Sequence, residues 1–384
     1  MDQDQEATIE KDHGNKKSDG ARKIRYAVVG LGYISQVAIL PAFEHAQENS
    51  ELVALVSGDP GKLKALAKKY KVPRTYSYGQ YIDCLTSAID AVYIALPNSM
   101  HREYAETAAR AGVHVLCEKP MAVREEECQA MIEAAAKTKV KLMVAYRLHF
   151  ERGNLSSIDT IREGKIGDPR IFSSVFCRQV KSGNSRLRNE LGCGPLFDIG
   201  IYCINAARYL FREEPYEVFS FSAKGKAERF AKVEEMNAAI LRFPNDKLAS
   251  FTCSFGAAGR SEYQVVGTKG SLKMGPAYEM VGDLKSEVEI EGKRQKMTYK
   301  KRDQFGPELT YFSKCILEGT NPEPDGAEGL ADVRIINALL ESSAKGKPVE
   351  IIPAETGKRP NSEPEIHKPP VEQPDLLRAH SPSQ

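Results

Sequence analysis

Two glycines one residue apart, Gly30 and Gly32, are followed by Tyr33, Ile34 and a small Ser35, and stand directly after the apolar run Arg25-Tyr26-Ala27-Val28-Val29. A strand that turns tightly into a helix needs unusual backbone angles at the first of these positions. A pyrophosphate approaching the backbone needs a second position without a Cβ. The helix that follows points unpaired N–H groups at such an anion. An ordinary glycine turn also fits a lone motif of this kind, so the context decides. The next apolar run, Leu52 to Val56, ends on Ser57-Gly58, with Lys62 shortly after. A site for NAD would carry Asp or Glu there to hold the ribose diol. A carboxylate about 4 Å from a 2′-phosphate costs on the order of 4 kcal/mol at an effective dielectric of about 20, whereas Ser57 and Lys62 attract the phosphate. The spacing predicts NADP(H) in preference to NAD(H). Asp59 is the carboxylate that a small loop shift would bring to the ribose.

Three polar segments follow apolar runs: Leu96-Pro97-Asn98-Ser99-Met100-His101, Cys117-Glu118-Lys119-Pro120 and Tyr146-Arg147-Leu148-His149. Ligands of parallel sheets bind beyond the carboxyl ends of strands, where these segments lie. Lys119, set between an acid and a proline, is held in place; an exposed ammonium is the plainer reading. Glu118 can orient Lys119 or the nicotinamide. His101 is a cofactor-side candidate, although a histidine in a first helical turn after Ser99 is ordinary composition. Arg147 and His149 are candidates for substrate hydroxyls, and a polar strand-to-helix junction explains them equally well. Farther on, a glycine-rich loop, Leu191 to Pro195, precedes Asp198 and Tyr202, four apart on one helical face. Core filling explains such a tyrosine as readily as chemistry does.

The elements that must position these residues alternate. Strand patterns at 24–30, 52–57, 90–96, 113–117 and 141–146 interleave with helix patterns at 33–46, 60–70, 99–111 and 124–138, which predicts a doubly wound parallel sheet. After His149 longer runs, 171–180, 217–223, 238–243, 249–255 and 263–266, predict an open, mostly antiparallel sheet. Helices are expected at 196–210, 306–318 and 328–344. The fold class is α/β: a Rossmann domain over 23–148 and an α+β domain for substrate and oligomerisation over 149–352. Residues 1–22 and 353–384, rich in charge, Pro, Ser and Gln, are expected to be disordered tails.

Lys plus Arg (54) nearly balance Asp plus Glu (52), which gives no bulk support to a nucleic-acid or membrane-surface role. No run reaches transmembrane length, and the polar start lacks an export signal. Eight scattered cysteines form no C-x-x-C pair, so no metal site is expected, and a cytoplasmic protein is. A sheet covered on one face only predicts a homodimer or homotetramer.

Taken together, Gly-Leu-Gly-Tyr (30–33), Val-Ser-Gly (56–58), Val-Tyr-Ile-Ala-Leu-Pro-Asn-Ser-Met-His (92–101), Cys-Glu-Lys-Pro-Met-Ala (117–122), Tyr-Arg-Leu-His (146–149), Arg-Leu-Arg-Asn-Glu-Leu (186–191) and Asp-Ile-Gly-Ile-Tyr (198–202) resemble the glucose-fructose oxidoreductase, inositol dehydrogenase and MocA family. They are most similar to its glucose-fructose oxidoreductase branch, over about Tyr26 to Val349. The resemblance implies that Lys119 and Tyr202 handle a substrate hydroxyl proton and that Asp198 places the sugar. It also implies that Ser57, Lys62 and Tyr78 hold the adenosine end of NADP. Gly58, Leu96, Asn98, His101, Glu118 and Arg147 complete the expected cofactor site, and Arg147, His149, Arg186 and Tyr278 the sugar site. The family junction at Glu118-Lys119-Pro120 often carries a cis proline. Ser185 stands where that branch has a tryptophan, which predicts a different sugar pocket.

The function expected is therefore hydride transfer between a cyclic sugar hydroxyl carbon, aldose C1 favoured, and nicotinamide C4. The alternatives are a cofactor-releasing dehydrogenase or reductase of one aldose, inositol or anhydro-sugar, and a non-catalytic cofactor sensor.

Overall fold

The structure is a computed structural model that describes residues 22–355, 366–372 and 374–382. The tail expected at 1–22 lies almost wholly outside the described residues.

Six parallel strands form the first sheet: β1 (Ile24–Val29), β2 (Ser50–Val56), β3 (Arg74–Tyr76), β4 (Ala91–Ile94), β5 (His114–Glu118) and β6 (Leu142–Ala145). Their order is β3-β2-β1-β4-β5-β6, so the chain reverses direction across the sheet between β1 and β4. That reversal opens a crevice at the strand ends, directly after Val29 and Ile94. Tyr26, Ala27, Val28 and Val29 are all buried, as a strand covered on both faces requires. β3 was not expected; three residues with two polar side chains carry no periodic signal, and pairing with β2 makes them a strand.

The second sheet has nine strands: β7 (Pro169–Cys177), β8 (Glu217–Ala223), β9 (Met236–Phe243), β10 (Lys247–Ser254), β11 (Arg260–Gly267), β12 (Gly270–Met274), β13 (Leu284–Ile290), β14 (Lys293–Tyr299) and β15 (Val349–Glu350). All pairs are antiparallel except β7 with β10. Along β9 every second residue from Asn237 to Phe243 is buried, the period of a sheet with one covered face. β12, β13 and β14 were missed because their charged side chains hide the alternation.

Two late helices tie the sheets together. Helix Phe305–Glu318 was expected with the second domain, but its apolar face joins the cluster under β1, and Ser313 Oγ bonds Tyr26 Oη at 2.8 Å and Ser50 Oγ at 2.7 Å. Helix Gly326–Lys345 packs on both helix Glu125–Thr138 and β8. Helix Arg152–Arg162, not anticipated, packs within the second half against helix Ile201–Phe211 and β13.

Both helices that start at the crevice are π-helical in their first turns, over Ser35–Ile39 and Leu196–Gly200. The first ends two residues before Pro41, which lacks the N–H that a regular turn would use. The described end of the chain was expected to be a disordered tail, yet it makes contacts. Lys368 Nζ reaches Glu48 at 3.2 Å and Leu377 bonds Gln36 through its backbone. Its Pro, Leu and Arg residues find partners only in the folded crevice, which no local pattern reports.

Candidate active site

Gly30 has φ +94, and a Cβ there would collide with the Ala95 carbonyl. Around Gly32, by contrast, no protein atom lies within 4 Å of where a Cβ would stand. The first glycine is required by the protein itself, and the second leaves open the side from which a phosphate approaches. Ser35 donates its hydroxyl to the Gly30 carbonyl at 2.6 Å, pinning the turn. These residues fit a bound dinucleotide.

At the far end of the crevice Ser57 is buried, and its hydroxyl oxygen accepts from the Asp59 N–H at 3.2 Å. Asp59 does not turn to the ribose position. Its carboxylate caps helix Pro60–Tyr70 by accepting from Lys62 N–H at 3.1 Å. That bond first, and the charge of Arg378 next, hold the Asp59 carboxyl below the usual carboxylate range. Lys62 Nζ reaches back to the Leu31 carbonyl at 3.2 Å, and the Tyr78 ring lies against Gly58.

Beyond the end of β5 the geometry tightens. The Lys119–Pro120 bond is cis, and Lys119 Nζ donates to the backbone carbonyl of Asp198 at 2.8 Å. The same ammonium sits 3.8 Å from Asp198 Oδ1 and 4.8 Å from the centroid of the Tyr202 ring. Arg186 Nε pairs with Asp198 Oδ2 at 2.9 Å. Burial alone would raise the Asp198 carboxyl; Arg186, Lys119 and Arg178 overcome it and bring it down to about 2. It is ionised at any working pH.

The hydroxyl of Tyr202 meets a different cation. Arg147 donates Nε–H to it at 3.2 Å and stacks its guanidinium 4.9 Å from the ring centroid. Arg147 is itself fixed by Gln304 Oε1 at 2.6 Å and by the Tyr278 carbonyl. Below it, Tyr93 Oη lies 3.0 Å from Glu118 Oε1 and 3.2 Å from Glu308 Oε2. Burial pushes both carboxyls up, Glu308 far more, and the charge of Glu118 adds to that.

Two adjoining hollows of about 530 and 760 Å³ occupy the crevice, and both are lined by Tyr33, Ile34, Leu96, Asn98, Lys119 and Asp198. Asn98 donates to the Gly192 carbonyl at 2.7 Å, joining the strand-end loop to the glycine-rich loop of the second half.

Of three further expected residues, His149 sits elsewhere, whereas His101 and Tyr278 line the smaller hollow but make their side-chain bonds away from it. His149 is buried away from the crevice, between the rings of Tyr146 and Tyr209, with Nδ1 3.5 Å from Glu323 Oε2. The one-turn helix that begins at Arg147 sends the two side chains in different directions. His101 is fully buried and spans the carbonyls of Leu96 and Pro120, both at 2.9 Å, so it braces two loops. Burial lowers its basicity. The Tyr278 hydroxyl turns into the core to Ser174 Oγ at 2.7 Å. Sequence reasoning missed Arg178, Gln304 and Arg378; only Arg178, polar at the end of an apolar run, left a signal.

The profile of an oxidoreductase family with an NAD-binding Rossmann fold, GFO/IDH/MocA, matches residues 24–146, and the GFO/IDH/MocA C-terminal domain matches 158–273. D-xylose 1-dehydrogenase [NADP(+)] of Haloarcula marismortui is 34% identical over 330 residues, 83% of this chain and 91% of that protein. The chain belongs to the Gfo/Idh/MocA oxidoreductase family. As a member it is an NAD(P)-dependent oxidoreductase. The crystal structure of aldose-aldose oxidoreductase from Caulobacter crescentus, complexed with glycerol, superposes with a TM-score of 0.82 at 37% identity, covering 86% of this chain and all of that one. A levoglucosan dehydrogenase, at 24% identity and a TM-score of 0.76 over 86% of this chain and 100% of that one, shares the fold. Among the described residues no helix of this family member is long and apolar enough to cross a membrane.

Proposed function

We propose that the protein is an NADP(H)-dependent sugar oxidoreductase of the glucose-fructose oxidoreductase type, acting at the hydroxyl-bearing carbon of a cyclic sugar, aldose C1 first. The convergence of Lys119, Asp198 and Tyr202 on the wall of the crevice that the glycine turn opens carries this reading. The similarity to an aldose-aldose oxidoreductase and to an NADP(+)-dependent xylose dehydrogenase supports both sugar and cofactor.

When bound, the nicotinamide accepts or returns a hydride at C4. In the oxidising direction the sugar C–H electron pair would leave with its hydrogen, a carbonyl forms, and the hydroxyl proton passes to Tyr202 as its phenolate or to Lys119 as its free amine. The Arg147 Nε–H bond to the Tyr202 oxygen stabilises the phenolate that takes this proton and that forms again in the reducing direction. The Asp198 carboxylate, held by Arg186, accepts from a neighbouring sugar hydroxyl and fixes which carbon faces the cofactor. Reduction runs through the same groups.

A second reading, a cofactor-releasing dehydrogenase of one sugar, is favoured by the xylose dehydrogenase relative. One experiment addresses both: purified protein is mixed with NADP+ and a panel of aldoses, inositols and anhydro-sugars, and the reduced-nicotinamide absorbance is followed in a single turnover. An aldose-dependent rise that is lost in Tyr202→Phe and Lys119→Met supports the mechanism. Near wild-type rates in both variants remove it. Exchange of cofactor on dilution supports the second reading, whereas cofactor that stays bound while one sugar is oxidised and another reduced supports the first; no turnover on any sugar favours a non-catalytic sensor.

The uncovered face of the nine-stranded sheet exposes Phe221 (64%), Ile171 (51%), Ile240 (48%) and Leu248 (46%). This face supports a homodimer or homotetramer joined through the sheet.

A further inference from the structure

The end of the chain returns to the centre of the molecule and crosses the dinucleotide crevice. Gln36, 1% exposed in the helix that opens from the glycine turn, holds the backbone of Leu377 with both ends of its amide. Leu377 N–H donates to Gln36 Oε1 at 2.7 Å, and Gln36 Nε2 donates to the Leu377 carbonyl at 3.0 Å. Leu376 packs against the apolar cluster beneath β1. On the opposite bank Lys181 N–H, in the loop after β7, donates to the Pro382 carbonyl at 3.2 Å. Between these anchors Arg378, Ala379, His380 and Ser381 line the larger hollow together with Gly32 and Lys62.

Arg378 extends toward the place where the adenosine end of the cofactor must lie. Its Nη1 is 3.3 Å from each oxygen of Asp59 and lies above Gly61. The guanidinium side chain is 68% exposed, and such a solvated pair contributes little by itself. A planar, permanently charged fork beside Lys62 is nevertheless suited to a phosphate, and it offsets the one carboxylate that would repel it.

We propose that residues 374–382 are a strap closing over the bound dinucleotide, and that Arg378 is a ligand of its 2′-phosphate. The phosphate role rests on the NADP(H) reading above. The strap role does not, because it concerns how any dinucleotide enters and leaves. The strap joins the two halves of the molecule across the crevice, so it must release Lys181 or Gln36 before the cofactor can exchange.

The test compares the full chain, a chain ending at Glu372, and Arg378→Ala. Equilibrium binding and stopped-flow release of NADPH and NADH are followed by nicotinamide fluorescence. Truncation is expected to speed release of the preferred cofactor about tenfold or more, since such contacts act mainly on dissociation. Arg378→Ala is expected to weaken NADPH about tenfold while leaving NADH within about twofold. Unchanged release in the truncated chain overturns the strap. Equal weakening of both cofactors in Arg378→Ala overturns the phosphate contact. A full-length protein that prefers NADH fails the NADP(H) reading and the phosphate role with it, while NADH release from the truncated chain still decides the strap. Should truncation prevent folding, Arg378→Ala carries the phosphate test, and Gln36→Leu, which removes the clamp on Leu377, carries the release test.

Discussion

Arg147 and Tyr202 come from different halves of the chain and meet at 3.2 Å, with guanidinium Nε–H donating to phenol oxygen. Lys119 instead lies 4.8 Å from the ring centroid of the same tyrosine. The two cations therefore divide the work on Tyr202: one addresses its oxygen, the other its face.

That division predicts a coupled pair. Arg147→Lys keeps the charge but loses the fixed fork, and hydride transfer is expected to fall about 100-fold, the scale of losing one donor at a developing charge. In a Tyr202→Phe background the same substitution should add almost nothing, because residues acting as a unit are not additive. Single-turnover rates of the four proteins measure the cycle, and full additivity would show that Arg147 acts elsewhere.

Ser57 directly follows β2, where a carboxylate would select NAD. Ser57→Asp should lower the ratio of kcat/KM for NADP+ over NAD+ by about 100-fold, the screened remainder of a repulsion of about 4 kcal/mol. An unchanged ratio would assign the preference to other residues.

Glu308 is buried on Tyr93 beside Glu118, and its folded-state carboxyl titrates well above its ordinary value. A raised carboxyl binds its proton more tightly in the folded than in the unfolded chain, whose Glu titrates at about 4.3. The stability this lends is present below that pH and drains away as pH rises toward the folded value. Glu308→Gln keeps an oxygen to accept from Tyr93 and removes the titration. The variant should gain stability relative to wild type between about pH 5 and about pH 8, both above the unfolded value of about 4.3. Denaturant midpoints at both pH values test the sign.

Arg208 is fully buried among Glu214, Glu328 and Asp332, with its nearest contacts at 2.7, 2.9 and 2.6 Å. Arg208→Met strands these acids and should cost about 3–5 kcal/mol in urea unfolding. Rates per folded molecule should change little, because this cluster lies behind the crevice.

Phe221→Glu places a charge on the uncovered sheet face. If copies of the chain pair there, sedimentation should move to the monomer with the fold and cofactor binding retained; an unchanged sedimentation coefficient would place the contact elsewhere.

Local order made much of this protein readable. The glycine turn, the Ser57-Gly58 strand end and helices such as Pro60–Tyr70 and Glu125–Thr138 follow from backbone sterics and hydrophobic periodicity, which act over a few residues. Lys119, Asp198 and Tyr202 could be nominated because each sits at a strand end or a helix start. Tertiary packing decided what those local rules cannot reach. Burial turned Tyr278 into the core, placed His149 against Glu323 and made His101 a brace. It also brought Arg147 to the Tyr202 oxygen and folded Arg378 back to Asp59, because charge pairing and desolvation depend on distance in space rather than along the chain.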